Sequence, residues 1–342
     1  MADKKSRAVF GAPGRFYSSE KPTSLKESAE EEGLRRLLEK FHPELERKVE
    51  RVCKKWNNIV RESIRAETGL RLSIGDERAS VPIKVVSGIP NPLLDALSGI
   101  KDNLIWELLL RKSDLDKTNR GLAFLASRGE AVERLLNEWK IEVQTRELKR
   151  VAQMVTEILK ELDRIELLKK IAAINSDVLG AYFFRVPEIR IYWVAMGIIG
   201  SLYAIDIEAL TFVALTHELS HAYTHLGRDI DEERWQTNNF AFADLEIVEG
   251  LAQFYTMTVC KRLMLRYPEA YQAFLELLKR QSGSYVAHKM WAHEDESAGE
   301  MVRSAMIECR SQGVRDYITF KSLLTRAKQQ VGKRRRSLIG GT

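Results

Sequence analysis

The chain has 342 residues, of which 44% are hydrophobic and 30% are charged, and its formal net charge is +6. This composition supplies enough apolar material for a packed core and fits a helical protein in water better than a membrane protein. The length suggests one large domain or two ordinary ones, and the small basic excess permits only weak attraction to nucleic acid or an acidic surface.

The cysteines and the apolar segments indicate the compartment. Cys53, Cys260 and Cys309 are far apart and lack Cys-x-x-Cys spacing, which argues against disulfides or a cysteine zinc site and fits a reducing compartment. The first residues are polar with no apolar stretch behind them, so we do not expect them to act as a secretory signal. In the most apolar stretch, residues 189–215, the uncharged run is about 15 residues, short of the roughly 20 needed to span a bilayer. We therefore expect a cytoplasmic protein without a membrane span.

The first half of the chain is expected to be mostly helical. Residues 1–30 are polar and aperiodic, which predicts a disordered arm. Apolar residues at helical spacing follow from Glu31 to Val49, with Pro43 as a break or kink. A β-like piece lies at 81–86, and Pro90 and Pro92 then open a helix that runs to about Arg111. From Glu130 to Ile171 the pattern predicts one long amphipathic helix or a helical hairpin.

A change of pattern near residue 178 introduces strands and then the most distinctive helix. Leu179–Phe184 and Ile189–Val194 are rich in aromatic and β-branched residues, which predicts two short strands. Asp206 is a good N-cap and Gly227 a natural stop, so a helix is predicted over residues 207–226. The expected fold class is mainly α with a small β-sheet. We divide the chain into an arm (1–30), a mostly helical domain (31–175), a domain bearing the predicted helix (176–330) and a basic tail (331–342).

This helix contains the sequence His217-Glu218-Leu219-Ser220-His221. Residues four apart stand one turn above each other on a helix, so His217 and His221 can direct their imidazoles at one metal ion. Glu218 lies about 100° further round, where it can reach a metal-bound water as a general base. Such a motif can arise by chance on a charged helix face, but here the helix is otherwise apolar. Burying these polar side chains without a purpose would be costly.

A catalytic zinc usually takes a third protein ligand and keeps one position for water. His225 is two turns beyond His217, about 12 Å along the helix, which favours a rim or supporting position instead. The metzincin pattern fails, because Thr224 and Gly227 stand where it needs a glycine and a histidine. The acidic candidates lie downstream: Asp229, Asp231, Glu246 and Glu249.

The segment Glu249-Gly250-Leu251-Ala252 resembles the Glu-Gly-x-Ala segment of gluzincin peptidases. That resemblance implies a zincin-like core in which one Zn²⁺ is held by His217, His221 and Glu249. It also implies that Glu218 is the base for hydrolysis of a protein or peptide substrate. In that family a glutamate on a second helix completes the shell, and small residues such as Gly250 let the helices approach. Glu246, three residues away on nearly the same face, stays the rival third ligand.

The resemblance carries further expectations and one departure. An edge strand at Ile189–Val194 would bind the substrate backbone. Gln253 stands where some gluzincins carry an aspartate, so Asp244, Asp231 or a backbone carbonyl would have to orient a histidine. Residues 217–225 also resemble ImmA/IrrE-type metallopeptidases, with Asn238–Ala241 as a faint echo of their downstream segment and Gln236 where they carry a glutamate.

Transition-state stabilisers are expected near Tyr285, His288 and His293, the cluster of His and Tyr residues beyond the site helices. Tyr285 or His288 could donate to the developing oxyanion, although surface or packing roles are the simpler interpretation. Trp235 and Trp291 could wall the cleft or fill the core.

The alternative function is a non-enzymatic adaptor or regulator that retains a zinc site. It would bind protein or nucleic-acid partners through its helical region and its basic tail, which includes the run at 333–336. The intact Glu218 argues against this alternative, because a structural zinc site has no need of a base.

Overall fold

A computed structural model of the chain describes residues 29–72, 81–139, 144–174, 178–281, 283–291 and 297–339. Helices dominate these residues, and three short strands form one sheet. The predicted fold class, mainly α with a small β-sheet, is confirmed. The predicted arm over residues 1–30 falls almost entirely outside the described residues.

The secondary structure runs from the helical first half, through the sheet, to a second set of helices. The elements in chain order are α1 (Ala29–Phe41), α2 (Leu45–Thr68), β1 (Ile83–Val86), α3 (Asn91–Leu97), α4 (Asn103–Leu110), α5 (Lys112–Ser127), α6 (Gly129–Glu138), α7 (Thr145–Arg164), α8 (Leu167–Ala172), β2 (Gly180–Phe183), β3 (Glu188–Tyr192), α9 (Trp193–Tyr203), α10 (Ile207–Leu226), α11 (Thr237–Phe242), α12 (Leu245–Arg262), α13 (Pro268–Leu278), a 3-10 helix (Gly283–Met290), α14 (Ala298–Gln312) and α15 (Tyr317–Ile339).

The predicted helical stretches are divided more finely than their periodicity suggested. Pro43 does separate α1 from α2, as expected for a residue that cannot continue a helix. The stretch predicted from Pro90 to Arg111 is two helices, α3 and α4, and that from Glu130 to Ile171 contains α6, α7 and α8. At the start of α7, Gln144 and Glu147 form a reciprocal capping box that gives this helix its own beginning.

The sheet has the strand order β1-β3-β2. β1 runs parallel to β3, with Ile83 opposite Ile189, and β2 runs antiparallel to β3, with Gly180 opposite Ile191. β3 is therefore the central strand, so the expectation of an edge strand at Ile189–Val194 is wrong. From Trp193 onward the predicted strand is already helix α9. In the described part of the chain, β2 forms the edge on the side of α10.

Helix α10 lies at the centre of the molecule and has the predicted bounds, Ile207–Leu226. The Asp206 carboxylate accepts hydrogen bonds from the backbone N–H of Glu208 (2.8 Å) and Ala209 (3.0 Å), which confirms it as the N-cap. Every residue from Ala209 to Leu226 is buried. A helix with apolar residues on every face is stable only when it is covered, and α2, α12, α13 and the sheet surround this one.

The first and second halves of the chain share one hydrophobic core. Buried residues form a continuous cluster from Leu34 on α1 to Ala327 on α15, and α2 packs along α10. The boundary expected at residue 331 falls inside α15, so Lys333 and Arg334 are exposed residues of a helix. Among the described helices, none combines the length and the apolar character needed to cross a membrane.

Candidate metal centre

Helix α10 directs two imidazoles at one point. The Nε2 atoms of His217 and His221 lie 3.0 Å apart, and both side chains are buried. The separation follows from the helix itself, because residues four apart share a face and stand one turn above each other.

Helix α12 brings a carboxylate to the same point. Oε2 of Glu249 lies 3.3 Å from His217 Nε2 and 3.5 Å from His221 Nε2. Glu249 is buried, whereas Glu246 is only half-buried in the first turn of α12. Asp244, just before α12, ties this end of the helix to the start of α15, because its Oδ2 accepts a hydrogen bond from Tyr317 N (2.8 Å) and its N–H donates to Arg315 O (2.7 Å). The structure thus gathers Glu249, and not Glu246, with the two histidines.

The three donor atoms have the spacing of a metal shell. Around a tetrahedral metal with bonds of about 2.0–2.1 Å, neighbouring ligand atoms stand about 3.3 Å apart. The separations here, 3.0, 3.3 and 3.5 Å, scatter about that distance. Two imidazole nitrogens and one carboxylate oxygen would fill three of the four positions of a tetrahedral shell and leave the fourth open. The buried group of His217, His221 and Glu249 could therefore hold a metal ion.

The electrostatics of Glu249 favour an ionised ligand. Burial by itself would raise the pKa of this carboxyl group, but the adjacent imidazoles of His221 and His217 interact with the carboxylate and hold its pKa below the usual range. An ionised carboxylate is the form that binds a metal.

Glu218 lies next to this group, beneath strand β2. Its side chain is buried and lines a pocket together with His217. A Cβ atom added to Gly180 would stand 2.8 Å from Glu218 Cγ and 3.0 Å from its Oε1. Only a residue without a side chain lets the strand pass this close to the carboxylate. The sequence pattern did not single out Gly180, because its importance lies in a contact with a residue far along the chain.

His225 is not in the metal group. Its Nδ1 hydrogen-bonds the Tyr182 hydroxyl (2.9 Å) and its Nε2 the Thr237 hydroxyl (3.2 Å), while its ring stacks on Phe240. Burial, and next the charges of two nearby arginines, lower its pKa to about 3. This neutral histidine ties the end of α10 to β2 and α11, which agrees with the supporting position expected for it.

Tyr285 and His288 lie on the 3-10 helix that packs against α12. The Tyr285 ring is nearly parallel to that of His217, with 6.1 Å between their centroids, and Tyr285 lines the same pocket as Glu218. His288 is placed behind it: Nδ1 is 3.1 Å from the carbonyl oxygen of Tyr285, the ring packs near Phe274, and the residue does not line that pocket. Burial lowers the pKa of His288 to about 4. His293 lies outside the described residues.

Gly250 on α12 lies directly against the ring of Trp291. A Cβ atom added to Gly250 would stand 2.4 Å from the Trp291 ring, so this glycine makes room for Trp291. Trp291 also packs on Phe320 and donates a hydrogen bond to the Tyr317 hydroxyl (3.0 Å). Trp235 is fully buried. Both tryptophans therefore belong to the core, and neither lines the pocket beside Glu218.

The polar residues considered as supports have other partners. Gln253 donates a hydrogen bond to Gln281 (3.3 Å), the Asp244 carboxylate accepts one from Tyr317 N at the start of α15, and Asp231 is exposed. Gly227 ends α10 as predicted, but its φ is negative, so the backbone conformation does not require glycine. Glycine is required by lack of space, because a Cβ atom at this position would stand 2.4 Å from Tyr223 O.

The sequence pattern did not identify Arg310 as an important residue, although its side chain supports the segment after α10. It is buried, and its Nη2 donates hydrogen bonds to the carbonyl oxygens of Gly227 and Glu233. Burial, opposed by nearby Asp229, lowers its pKa to about 10, so it stays charged at neutral pH. The available signal was its position on the apolar face of α14, one residue after the buried Cys309.

Comparisons of the chain with protein-family models, with curated proteins and with solved structures find no match. The likeness of residues 217–221 and 249–252 to gluzincin segments is therefore a likeness of motifs. The function proposed for the chain rests on the geometry of the group formed by His217, His221 and Glu249.

Proposed function

We propose that this protein is a zinc-dependent metallopeptidase with the zincin-like arrangement of its two site helices. The observation that carries the proposal is the convergence of His217, His221 and Glu249 at tetrahedral ligand spacing, with Glu218 beside them. A structural zinc site is normally closed by four protein ligands, whereas a catalytic one has three and an open position.

The donor set favours zinc over other divalent ions. Two imidazoles and one carboxylate suit a borderline ion such as Zn²⁺, while Mg²⁺ and Ca²⁺ prefer shells made of oxygen. When bound, zinc would lower the pKa of a water molecule and polarise a carbonyl group. The gluzincin-like segments at His217 and Glu249 agree with this choice.

The protein's own residues have distinct tasks in the proposed reaction. Glu218 takes a proton from the attacking water and delivers it to the leaving amine, a role that its position next to His217 permits. Tyr285, beside the His217 ring, is the candidate donor to the oxyanion of the tetrahedral intermediate. His288 does not line the pocket, so we assign it the task of positioning Tyr285, whose backbone it contacts.

The substrate backbone is proposed to bind along β2 rather than along the strand first expected. β2 is the edge of the sheet next to Glu218, and its inner neighbour β3 is fully flanked. An extended peptide could add to this edge through main-chain hydrogen bonds. This arrangement would lay the peptide across the metal centre.

The test is to measure zinc content and peptide hydrolysis in the wild type and in Glu218→Gln. We expect about one zinc per chain in both proteins, and a loss of hydrolysis of about 100-fold or more in the variant. Glu246→Gln on α12 is the matched control and should keep both properties. Retained hydrolysis in Glu218→Gln, or a chain that binds no zinc, would refute the proposal.

A non-enzymatic adaptor is the second candidate, and one observation favours it. Large apolar side chains are exposed on α5 and α7 and after α6, among them Phe124 (59%), Met154 (59%) and Trp139 (65%). Exposed apolar groups of this size are frequent at protein-binding surfaces. The test replaces these three residues with alanine or with charged residues. If these changes abolish the cellular role while Glu218→Gln leaves it intact, the adaptor function is favoured over the peptidase function.

A further inference from the structure

An apolar pocket opens directly beside the metal centre. His217 and Glu218 form part of its wall, and from there it extends between α9, α10, α13 and the segment after α8. Its remaining walls are mainly aliphatic and aromatic side chains: Ile174, Leu179, Ile199, Val213, Phe274 and Leu277. A group seated in this pocket would therefore be attached to an atom close to Glu218.

The size of the pocket fits one side chain. Its volume is about 100 Å³. A closed apolar cavity of about 150 Å³ holds a benzene molecule in another protein. This pocket is smaller but open on one side, so it has room for a branched aliphatic side chain or for a phenyl ring that enters from the open side. A methyl group would leave most of the space unfilled.

The polar side chains that line the pocket away from the metal centre already have partners within the protein. Gln253 donates to Gln281, and Arg280 forms an ion pair with Glu276 (2.8 Å) while its guanidinium lies over the Tyr203 ring. A charged substrate side chain would lose its hydration on entry and would have to compete for these partners. The pocket should therefore discriminate against acidic and basic side chains.

We infer that this pocket selects substrates by one bulky apolar side chain, leucine or phenylalanine in size, adjacent to the scissile bond. The inference rests on the proposed hydrolysis for its connection to catalysis. The pocket itself, its apolar walls and its contact with His217 and Glu218 are independent of that reaction.

The experiment compares zinc-loaded full-length protein on fluorogenic peptides that differ at one position adjacent to the cleaved bond. Leucine and phenylalanine should give a kcat/KM at least about tenfold above alanine, because one methylene in an apolar pocket changes this ratio about 10-fold or more. Aspartate and lysine should fall at or below alanine. Equal rates across the five peptides would overturn the inference and leave the proposed hydrolysis standing.

Matched variants on α13 connect the preference to the pocket. Leu277 lines it, whereas Leu275 on the same helix does not, and both are partly buried. Leu277→Trp should remove the preference for leucine over alanine, and Leu275→Trp should keep it. An unchanged preference in Leu277→Trp would overturn the assignment of the pocket.

A binding measurement separates the pocket from catalysis. N-acetyl-leucine amide and N-acetyl-aspartate amide are titrated into methyl-labelled full-length protein, and the methyl signals of Val213, Ile199 and Leu277 are followed by NMR. Selective shifts with the leucine amide in a protein that hydrolyses nothing would support the pocket and refute the proposed function. No shift with either amide would overturn the pocket assignment whether or not peptides are cleaved.

Discussion

Gly180 on the edge strand and Glu218 on the central helix approach so closely that a single methyl group would not fit between them. The added Cβ would stand 2.8 Å from Glu218 Cγ. One strand therefore both covers the proposed base and offers the edge along which a substrate could lie. The contact connects the position of β2 to the position of the carboxylate, which makes it a sensitive place to test the proposed reaction.

Gly180→Ala should reduce hydrolysis by about 100-fold while zinc stays bound. The methyl group would displace Glu218, and a shift of about 1 Å at a catalytic group can cost that factor. The measurements are kcat and zinc content. Gly299→Ala is the control, since a Cβ at residue 299 meets nothing within 4 Å. Full activity in Gly180→Ala would contradict the role given to Glu218 or the position of β2.

Glu249→Gln should weaken zinc binding by more than about 100-fold, and Glu246→Gln should leave it unchanged. Loss of an outer hydrogen-bond partner of a metal ligand typically costs about 10–100-fold, so loss of a charged ligand should exceed that. Competition with a chelator of known affinity measures the effect. Equal affinities in the two variants would exclude Glu249 as the third ligand.

Tyr285→Phe should lower kcat by about 100- to 1000-fold with little change in KM or zinc content, as expected for a donor that acts on the oxyanion. The substitution keeps the ring that lies beside His217. Tyr271→Phe on α13 is the control, because Tyr271 stacks on Phe274 and does not line the pocket. If kcat is unchanged in Tyr285→Phe, another group stabilises the oxyanion.

His225 should make the metal-free protein less stable in acid. Burial, together with the charges of Arg234 and Arg310, lowers its folded pKa to about 3 from 6.5. Between these pH values the unfolded chain binds the proton and the folded chain does not, so its contribution is complete above pH 6.5 and declines as the pH falls. The slope from this one group is at most about 1.4 kcal/mol per pH unit.

The measurement is the free energy of unfolding in urea with a chelator present, from pH 7 downward, for the wild type and His225→Gln. The variant should show a shallower pH dependence, because glutamine does not titrate. Parallel curves for the two proteins would show that His225 is not held neutral by the fold. Comparing slopes rather than absolute values removes any constant loss of stability from the missing hydrogen bonds to Tyr182 and Thr237.

The local sequence pattern was sufficient to predict helix α10 and the direction of its two histidines. Asp206, the run of apolar residues and Gly227 predicted the bounds of α10, and the four-residue spacing of His217 and His221 predicted their common direction. These features depend on interactions within a turn or two of helix, so they can be read from neighbouring residues. Glu249 needed a family resemblance, because no spacing rule connects one helix with the next.

Contacts between segments that are distant in the sequence could not be predicted from local patterns. The order of the strands, the approach of Gly180 to Glu218 and the place of Trp291 against Gly250 all depend on how separate elements pack. A strand pattern is the same at the centre and at the edge of a sheet, and a glycine gives no indication of which neighbour requires it.

The sequence alone therefore determined that a buried helix carries two imidazoles and a carboxylate on adjacent faces. Only the tertiary structure decided that Glu249 rather than Glu246 meets them, that β2 covers Glu218, and that an apolar pocket opens at that point. The physical reason is one of range: helix periodicity encodes contacts three and four residues apart, whereas a site is completed by close packing between segments brought together from far along the chain.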